Sequence, residues 1–261
     1  MRQIVVQRYV TPLREGGSLP AVVEGDDLGL YVLKFRGAGQ GPRALIAEII
    51  GGGIARALGL AVPEIVLADL DPGLAATEPD PEIQDLLRAS GGLNVALDYL
   101  PGAVNFDPAA DSVDADLASR VVWFDAFISN VDRTARNTNL LTWHDRLWLI
   151  DHGAALYFHH GWHGEAEAAD KPFPLIKDHV LLPMAGDIEA AHRQSVGKLS
   201  PELFARILAD IPDGWLVVEG SDAATFATPE AHRAAYRHYL ERRLACASEI
   251  IHTVKEARDA A

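Results

Sequence analysis

The sequence predicts an α+β fold in which strands occupy the first hundred residues and helices most of the remainder. Short runs rich in Val, Ile, Leu and Tyr, bounded by Gly, Pro and Asp, recur before residue 100 and are typical of strands. Amphipathic helical spacing follows in residues 201–210, 228–244 and 245–258. Hydrophobic residues make up 49% of the 261 residues, which is enough for a sizeable core. We therefore expect an α+β fold, and the length alone allows one large domain or two small ones.

Three strands are expected before residue 36. Residues 2–7 alternate toward a strand, and residues 20–24 and 30–35 flank the hairpin signal Gly-Asp-Asp at positions 25–27. Lys34 lies between two apolar residues of the third strand, so alternation turns its side chain to the face opposite its neighbours. The sequence leaves a second interpretation open, a solvated lysine on an edge strand.

A helix is predicted to begin at Pro42, where proline suits the first turn, and to end by Gly59. Its only acidic residue is Glu48, which either forms an ion pair or is solvated. Three consecutive glycines at positions 51–53 interrupt good helix formers, and each costs about 1 kcal/mol there. Either the helix bends at that point or another part of the chain approaches it closely.

Two more strands are expected at residues 63–69 and 93–100. The connection between them, residues 71–92, is acidic and contains prolines, and residues 82–88 have the composition of a short helix. Pro and Gly at positions 101 and 102 turn the chain after the second of these strands.

Two glycine clusters are candidate phosphate-contacting loops: Gly16, Gly17 and Ser18, and Gly37, Gly39 and Gly41. Neither cluster matches the G-x-G-x-x-G or the P-loop pattern. The sequence therefore does not choose between them.

The candidate catalytic and metal-binding residues lie in the stretch from residue 121 to 153. Asp132 is followed five residues later by Asn137, and Asp151 comes directly after the apolar run at 147–150. A carboxylate can accept the proton of an attacking hydroxyl, while an amide and a second carboxylate offer hard oxygen ligands to Mg²⁺ bridging the ATP phosphates. This order is typical of phosphoryl transfer. The alternative is that these residues populate ordinary turns of a hairpin.

The same stretch resembles the catalytic centre of the HipA-like kinases and, more distantly, of the type II phosphatidylinositol 4-kinases. The pattern is Asn-x-Asp-x-x-x-x-Asn, a hairpin, and then two apolar residues with Asp-x-Gly. This chain matches it at residues 130–137 and 149–153. Many family members carry His two positions after the first Asp, and this chain has Thr134.

The resemblance implies a role for each candidate residue. Asp132 would be the catalytic base, and Asn137 and Asp151 would be the metal ligands. Lys34 would hold the ATP phosphates, and Glu48 would pair with the lysine and fix its direction.

The resemblance also implies a single α+β domain over residues 1–261 with a bilobal protein-kinase-like fold. Its parts would be a small β-rich N-lobe (1–96), a hinge (97–102) and a helical C-lobe (103–261). Backbone groups of the hinge would contact adenine, at Leu97, Asp98, Tyr99 and Leu100. In the N-lobe, Gly16, Gly17 and Ser18 are the candidates for nucleotide binding.

The activity so implied is transfer of the γ-phosphoryl group of ATP, with Mg²⁺, to a hydroxyl. A protein Ser or Thr is favoured as acceptor over a phosphoinositide because the chain is acidic. A regulator that binds nucleotide without transferring phosphate, a pseudokinase, is the alternative.

The formal net charge of −14 disfavours a general nucleic-acid-binding surface, and no polybasic cluster suits an anionic membrane. Arg242 and Arg243 are expected on a solvated helix face. Cys246 is the only cysteine, which excludes an intrachain disulfide and a Cys-based zinc site. Because no signal peptide or membrane-spanning run is recognisable, a cytoplasmic setting is expected.

Two further hypotheses concern other polar residues. Arg133 or Arg136 either stabilises charge that develops during transfer or forms a structural ion pair. A metallohydrolase using His152 and His159 would bind metal without ATP.

Overall fold

The computed structural model describes residues 1–13, 19–162, 165–216 and 226–259. Its strand-rich first part is a closed five-stranded barrel of order β1-β2-β3-β5-β4, in which β1 returns to pair in parallel with β4. The strands are β1 (Gln3–Pro12), β2 (Ala21–Gly25), β3 (Leu30–Lys34), β4 (Ile65–Leu70) and β5 (Gly92–Asp98). The predicted α+β character and all five predicted strands are thus confirmed.

Alternation along β3 separates the two faces of the barrel. Tyr31 and Leu33 are buried in the barrel interior, where they join the apolar side chains of the other four strands. Lys34 is paired with Val95 of β5, so the two side chains lie on the same face of the sheet. Val95 packs in a separate apolar cluster outside the barrel, together with residues of the C-terminal helices. Lys34 is therefore directed away from the barrel interior.

The helix α1 (Pro42–Leu58) packs against that outer face and is continuous through its three glycines. A Cβ at Gly51 would lie 2.7 Å from the Cβ of His152, and a Cβ at Gly53 would lie 3.0 Å from Ile207. Of the two explanations for these glycines, close approach by other parts of the chain is therefore the one that applies. Gly59 ends the helix with a left-handed backbone at φ 82°.

The connection from β4 to β5 contains a 3₁₀ turn (Pro72–Thr77) and α2 (Pro81–Ala89), in agreement with the short helix expected there. Beyond β5, three short strands form an antiparallel sheet: β6 (Val104–Asn105), β7 (Leu140–Trp143) and β8 (Arg146–Leu149). The tight turn between β7 and β8 has left-handed backbone at His144 and Asp145.

The described C-terminal part is mainly helical. Its helices are α3 (Ala115–Ile128), α4 (Glu165–Asp170), α5 (Ile188–Val196), α6 (Pro201–Ala209), α7 (Asp213–Leu216), α8 (Pro229–Ala245) and α9 (Ala247–Asp259). Short 3₁₀ turns lie at Tyr157–His160, Pro174–Asp178 and Leu182–Met184. Among the described residues, no helix has both the length and the apolar character needed to cross a membrane.

The expectation that Arg243 lies on a solvated face is wrong. Its side chain is 2% exposed, and its guanidinium donates to carbonyl oxygens in the last turn of α3, Ala126 and Phe127, and at the end of α4, Ala169 and Lys171. Helix ends leave such carbonyls without partners, so a cation there satisfies them and opposes the helix dipoles. Burial lowers the pKa of Arg243 below its ordinary value.

Candidate active site

Lys34, at the end of β3, lies between two carboxylates. Its Nζ donates to Glu48 Oε2 at 2.6 Å and to Asp151 Oδ1 at 2.7 Å. The Glu48 side chain is fully buried, whereas the Asp151 side chain is 41% exposed. One ammonium group thus joins β3, α1 and the turn after β8, and the ion pair expected between Lys34 and Glu48 is formed.

The charges of this cluster stabilise one another. Burial opposes a charged Lys34, but the negative charges of Asp151 and Glu48 outweigh it and hold the lysine pKa above its ordinary value. Burial would likewise raise the pKa of Glu48, but Lys34 and hydrogen bonds from His152 outweigh it and hold that pKa well below its ordinary value. At neutral pH the buried pair is therefore an ion pair.

Both oxygens of Glu48 are also held by the residue after Asp151. The backbone N–H of His152 donates to Glu48 Oε2 at 2.8 Å, and its Nδ1 lies 3.2 Å from Oε1. This contact requires the turn at 151–153 to pass close to α1, which the missing side chain of Gly51 permits. Asp151 itself has a left-handed backbone at φ 54°. Gly51 and the left-handed backbone of Asp151 therefore both allow the turn 151–153 to pack against α1.

Asp132 lies in the loop between α3 and β7. Its Oδ2 accepts hydrogen bonds from Asn137 Nδ2 at 2.8 Å and Asn139 Nδ2 at 3.2 Å, and in the described part of the chain its Oδ1 has no hydrogen-bond donor. Burial and the nearby charge of Asp151 raise the pKa of Asp132, although the two amides oppose the shift. A carboxylate with a raised pKa is a stronger proton acceptor.

Beneath this loop lies a fully buried carboxylate, Asp125 of α3. Its Oδ1 accepts from Asn130 Nδ2 at 2.9 Å, and its Oδ2 contacts Arg133 Nε at 2.5 Å and His179 Nε2 at 2.9 Å. Burial would raise the pKa of Asp125, but Arg133 and His179 outweigh it and hold that pKa well below its ordinary value. The guanidinium of Arg133 also donates to the backbone carbonyl of Asn139.

A family model described as HipA-like kinase matches residues 6–242, which is most of the chain. The chain belongs to the HipA-like kinase family. No curated protein matches it.

The fold of this HipA-like kinase is similar to the crystal structure of a Helicobacter pylori proinflammatory kinase, CtkA. The TM-score is 0.57, and the match covers 99% of this chain and 99% of that chain at 12% sequence identity. At this identity the likeness concerns the fold alone.

The predicted hinge positions of this HipA-like kinase lie at the end of β5 and just beyond it: Leu97, Asp98, Tyr99 and Leu100. The N–H of Asp98 donates to Glu64 O at 2.8 Å, and the N–H of Tyr99 donates to Leu30 O at 2.9 Å. Both amides therefore have partners within the fold. Among the described residues, no hydrogen-bond partner of the Leu100 N–H is found.

Of the two glycine clusters, Gly16, Gly17 and Ser18 lie outside the described residues. In the other cluster, Gly37 donates its N–H to Ser90 Oγ at 3.1 Å, and a Cβ at Gly37 would lie 2.8 Å from the Cβ of Ala89 at the end of α2. Gly39 and Gly41 have positive φ angles, 48° and 65°, which glycine adopts without strain. Gly37 thus serves packing between β3 and α2.

The structure separates the hypotheses about the other polar residues. Arg133 is 1% exposed and paired with Asp125, so it forms the structural ion pair, whereas Arg136 is exposed. His152 contacts Glu48, and His159 contacts the hydroxyl of Tyr236 at 2.9 Å. No group of three or more His, Cys, Asp or Glu side chains among the described residues could hold a metal, which gives the metallohydrolase hypothesis no support.

Sequence reasoning missed Asp125 and His179. Asp125 had a signal, because a charged residue inside the apolar run 121–128 must find partners when that run is buried. His179 had none, because it lies more than fifty positions from Asp125 and no local pattern links the two.

Proposed function

We propose that this HipA-like kinase is an ATP- and Mg²⁺-dependent phosphotransferase with a bilobal arrangement, in which the hinge 97–102 joins residues 1–96 to residues 103–261. The observation that carries the proposal is the contact of Lys34 Nζ with both Glu48 and Asp151. A lysine held in its charged form beside a partly exposed carboxylate suits the phosphates and the metal of MgATP.

The two carboxylates beside Lys34 differ in a way that supports different roles. Both oxygens of Glu48 are occupied by Lys34 and His152, so Glu48 fixes the direction of the lysine. Asp151 is partly exposed and contacts Lys34 through Oδ1. When nucleotide binds, we expect phosphate oxygens to replace Asp151 on Lys34, which frees Asp151 for metal.

The donor set fits Mg²⁺. Asn137 donates its amide N–H to Asp132, which leaves its carbonyl oxygen as an acceptor, and Asp151 adds a carboxylate. Magnesium in phosphoryl-transfer sites is held by one or two such groups together with phosphates and water. Bound there, Mg²⁺ would neutralise charge on the phosphates. Asn137 and Asp151 are the residues we propose to hold it.

Asp132 is proposed as the base. Its Oδ1 takes the proton of the acceptor hydroxyl while the hydroxyl oxygen forms a bond to the γ-phosphorus. The bond from that phosphorus to the β-phosphate oxygen breaks, and ADP leaves. The hydrogen bonds from Asn137 and Asn139 to Oδ2 hold the carboxylate in one orientation during this step.

The proposed acceptor is the hydroxyl of a protein Ser or Thr. A net charge of −14 disfavours approach to an anionic lipid surface and a direct nucleic-acid partner.

Two isosteric variants test the mechanism. Asp132→Asn keeps shape and removes the basic oxygen, so it should preserve MgATP binding and reduce transfer about 10²–10⁴-fold. Asp151→Asn removes a charge next to the metal, so it should raise the Mg²⁺ concentration needed for nucleotide binding. The measurements are transfer from radiolabelled ATP and thermal stabilisation by ATP titrated with Mg²⁺.

Wild-type protein at a hundredfold excess of MgATP over its dissociation constant should be stabilised by about 2.7 kcal/mol. Stabilisation without any transfer would identify a pseudokinase. The absence of both stabilisation and transfer, or wild-type transfer by both variants, would refute the proposed function.

A further inference from the structure

The buried carboxylate of Asp125 is a common hydrogen-bond partner for three parts of the chain. It lies on α3, and its side chain is fully buried. Asn130 and Arg133 reach it from the loop that carries Asp132, and His179 reaches it from a separate segment between two 3₁₀ turns.

The contacts of His179 fix its tautomer. Its Nδ1 accepts the backbone N–H of Leu181 at 3.0 Å, so Nδ1 carries no proton. Nε2 must then carry the proton of the neutral ring, and it donates that proton to Asp125 Oδ2 at 2.9 Å. His179 is thus a directed donor to Asp125.

The backbone of the same segment is joined to the loop. Thr134 and His179 form an antiparallel β-bridge, and the N–H of Val180 donates to Arg133 O at 3.0 Å. His179 therefore supports the loop through its side chain, and its segment supports the loop through the backbone.

From Asp125 the support reaches Asp132 by one short path. The hydrogen bond from Asn130 Nδ2 to Asp125 Oδ1 orients the Asn130 amide, and Asn130 Oδ1 then accepts the backbone N–H of Asp132 at 3.2 Å. The position of Asp132 therefore depends on where the Asp125 carboxylate lies.

A second path reaches the proposed metal ligands. Arg133 Nε binds Asp125 Oδ2, while its Nη1 donates to the carbonyl of Asn139 and, at 3.3 Å, to the carbonyl of Ile150. Asn139 lies two residues beyond Asn137, and Ile150 directly precedes Asp151. One guanidinium thus joins the loop of the base to the turn that carries Asp151.

We propose that His179 is a positioning residue for phosphoryl transfer, acting through Asp125, Asn130 and Arg133 on the placement of Asp132. This inference rests on the proposed function of Asp132. His179 touches neither nucleotide nor acceptor; it holds the Asp125 carboxylate in the one orientation that serves Asn130 and Arg133 together.

The two contacts of His179 can be separated by substitution. In His179→Gln the amide nitrogen lies the same number of bonds from Cα as Nε2, so the donor to Asp125 is kept and the acceptor for Leu181 is lost. In His179→Asn the amide oxygen takes the position of Nδ1, so the acceptor for Leu181 is kept and the donor to Asp125 is lost. The variants form a matched pair in which one contact each is removed.

The experiment measures kcat and KM for ATP in phosphoryl transfer, together with the melting temperature with and without MgATP. We expect His179→Gln to retain most of the wild-type kcat. We expect His179→Asn to lose about 10–100-fold in kcat, the usual cost when a supporting contact of a reactive group is removed, with KM for ATP and stabilisation by MgATP unchanged.

A second variant keeps the inference testable if His179→Asn does not fold. Asn130→Ala cuts the path between Asp125 and the N–H of Asp132 and leaves His179 in place, and it should also lower kcat at unchanged KM. Equal kcat in both His179 variants, with a change in melting temperature alone, would show a merely structural role and overturn the inference. If the wild-type protein transfers no phosphate, the proposed function fails and the inference with it.

Discussion

Replacing Gly51 with alanine should separate activity from stability in this protein. The new Cβ would lie 2.7 Å from the Cβ of His152, whereas carbon atoms in contact prefer about 3.5–4.0 Å. Because both atoms are next to backbone, the turn 151–153 must move by about 1 Å. The hydrogen bond between Lys34 and Asp151, now 2.7 Å, would then exceed hydrogen-bonding range, and misplacement on that scale costs about 10²-fold in rate.

Stability should change much less. Alanine in place of glycine favours the helix by about 1 kcal/mol, and this offsets part of the roughly 1–3 kcal/mol that overpacking costs. Phosphoryl transfer and urea denaturation, measured side by side, provide the test. Gly53→Ala is the matched control, because its Cβ would meet the Ile207 side chain at 3.0 Å and not the turn that carries Asp151. Wild-type transfer by Gly51→Ala would refute the conclusion that this glycine exists to admit the turn.

Two further predictions concern stability. Burial holds the pKa of His159 well below its ordinary value. Below about pH 6.5 the unfolded chain therefore binds a proton that the folded chain does not. The free energy of unfolding should then fall on acidification by up to about 1.4 kcal/mol per pH unit. Urea denaturation between pH 7 and pH 5 should show this pH dependence, and most of it should disappear in His159→Asn. An unchanged pH dependence in that variant would show that other groups cause it. Arg243→Met should destabilise the fold by about 1–3 kcal/mol for each buried carbonyl left unpaired. The neighbouring Arg242→Met, which removes an exposed pair with Asp170, should cost at most about 1 kcal/mol, and equal losses in the two variants would contradict the helix-end role of Arg243.

The strands and most helices could be predicted because their signals are local. Alternation in β3 was enough to predict that Lys34 faces away from its apolar neighbours, and Pro42 and Gly59 indicated the ends of α1. The order Asp132, Asn137, Asp151 also indicated the stretch in which the candidate site is proposed. Periodicity and turn residues act over a few positions, so these features did not depend on the rest of the fold.

The supports of the site could not be predicted in the same way, since they depend on which distant residues meet. The sequence around Arg243 is typical of a solvated helix face, yet Arg243 is buried because the ends of α3 and α4 converge on it. The proposed role of His179 depends on its β-bridge to Thr134, which no local sequence pattern indicates. Buried polar residues are specified by tertiary partners, and a single sequence does not state those partners.

The closed barrel has a consequence for how the chain is made. β1 is synthesised before the other strands of the barrel, but its parallel partner β4 follows only after α1. β3 is separated from β5 by a similar length of chain. Non-local pairings of this kind form slowly, and until they form the early strands expose unpaired backbone groups. A ribosome that stalls before β5 has emerged would therefore release a chain with open strand edges, which is the form most exposed to aggregation and most in need of a chaperone.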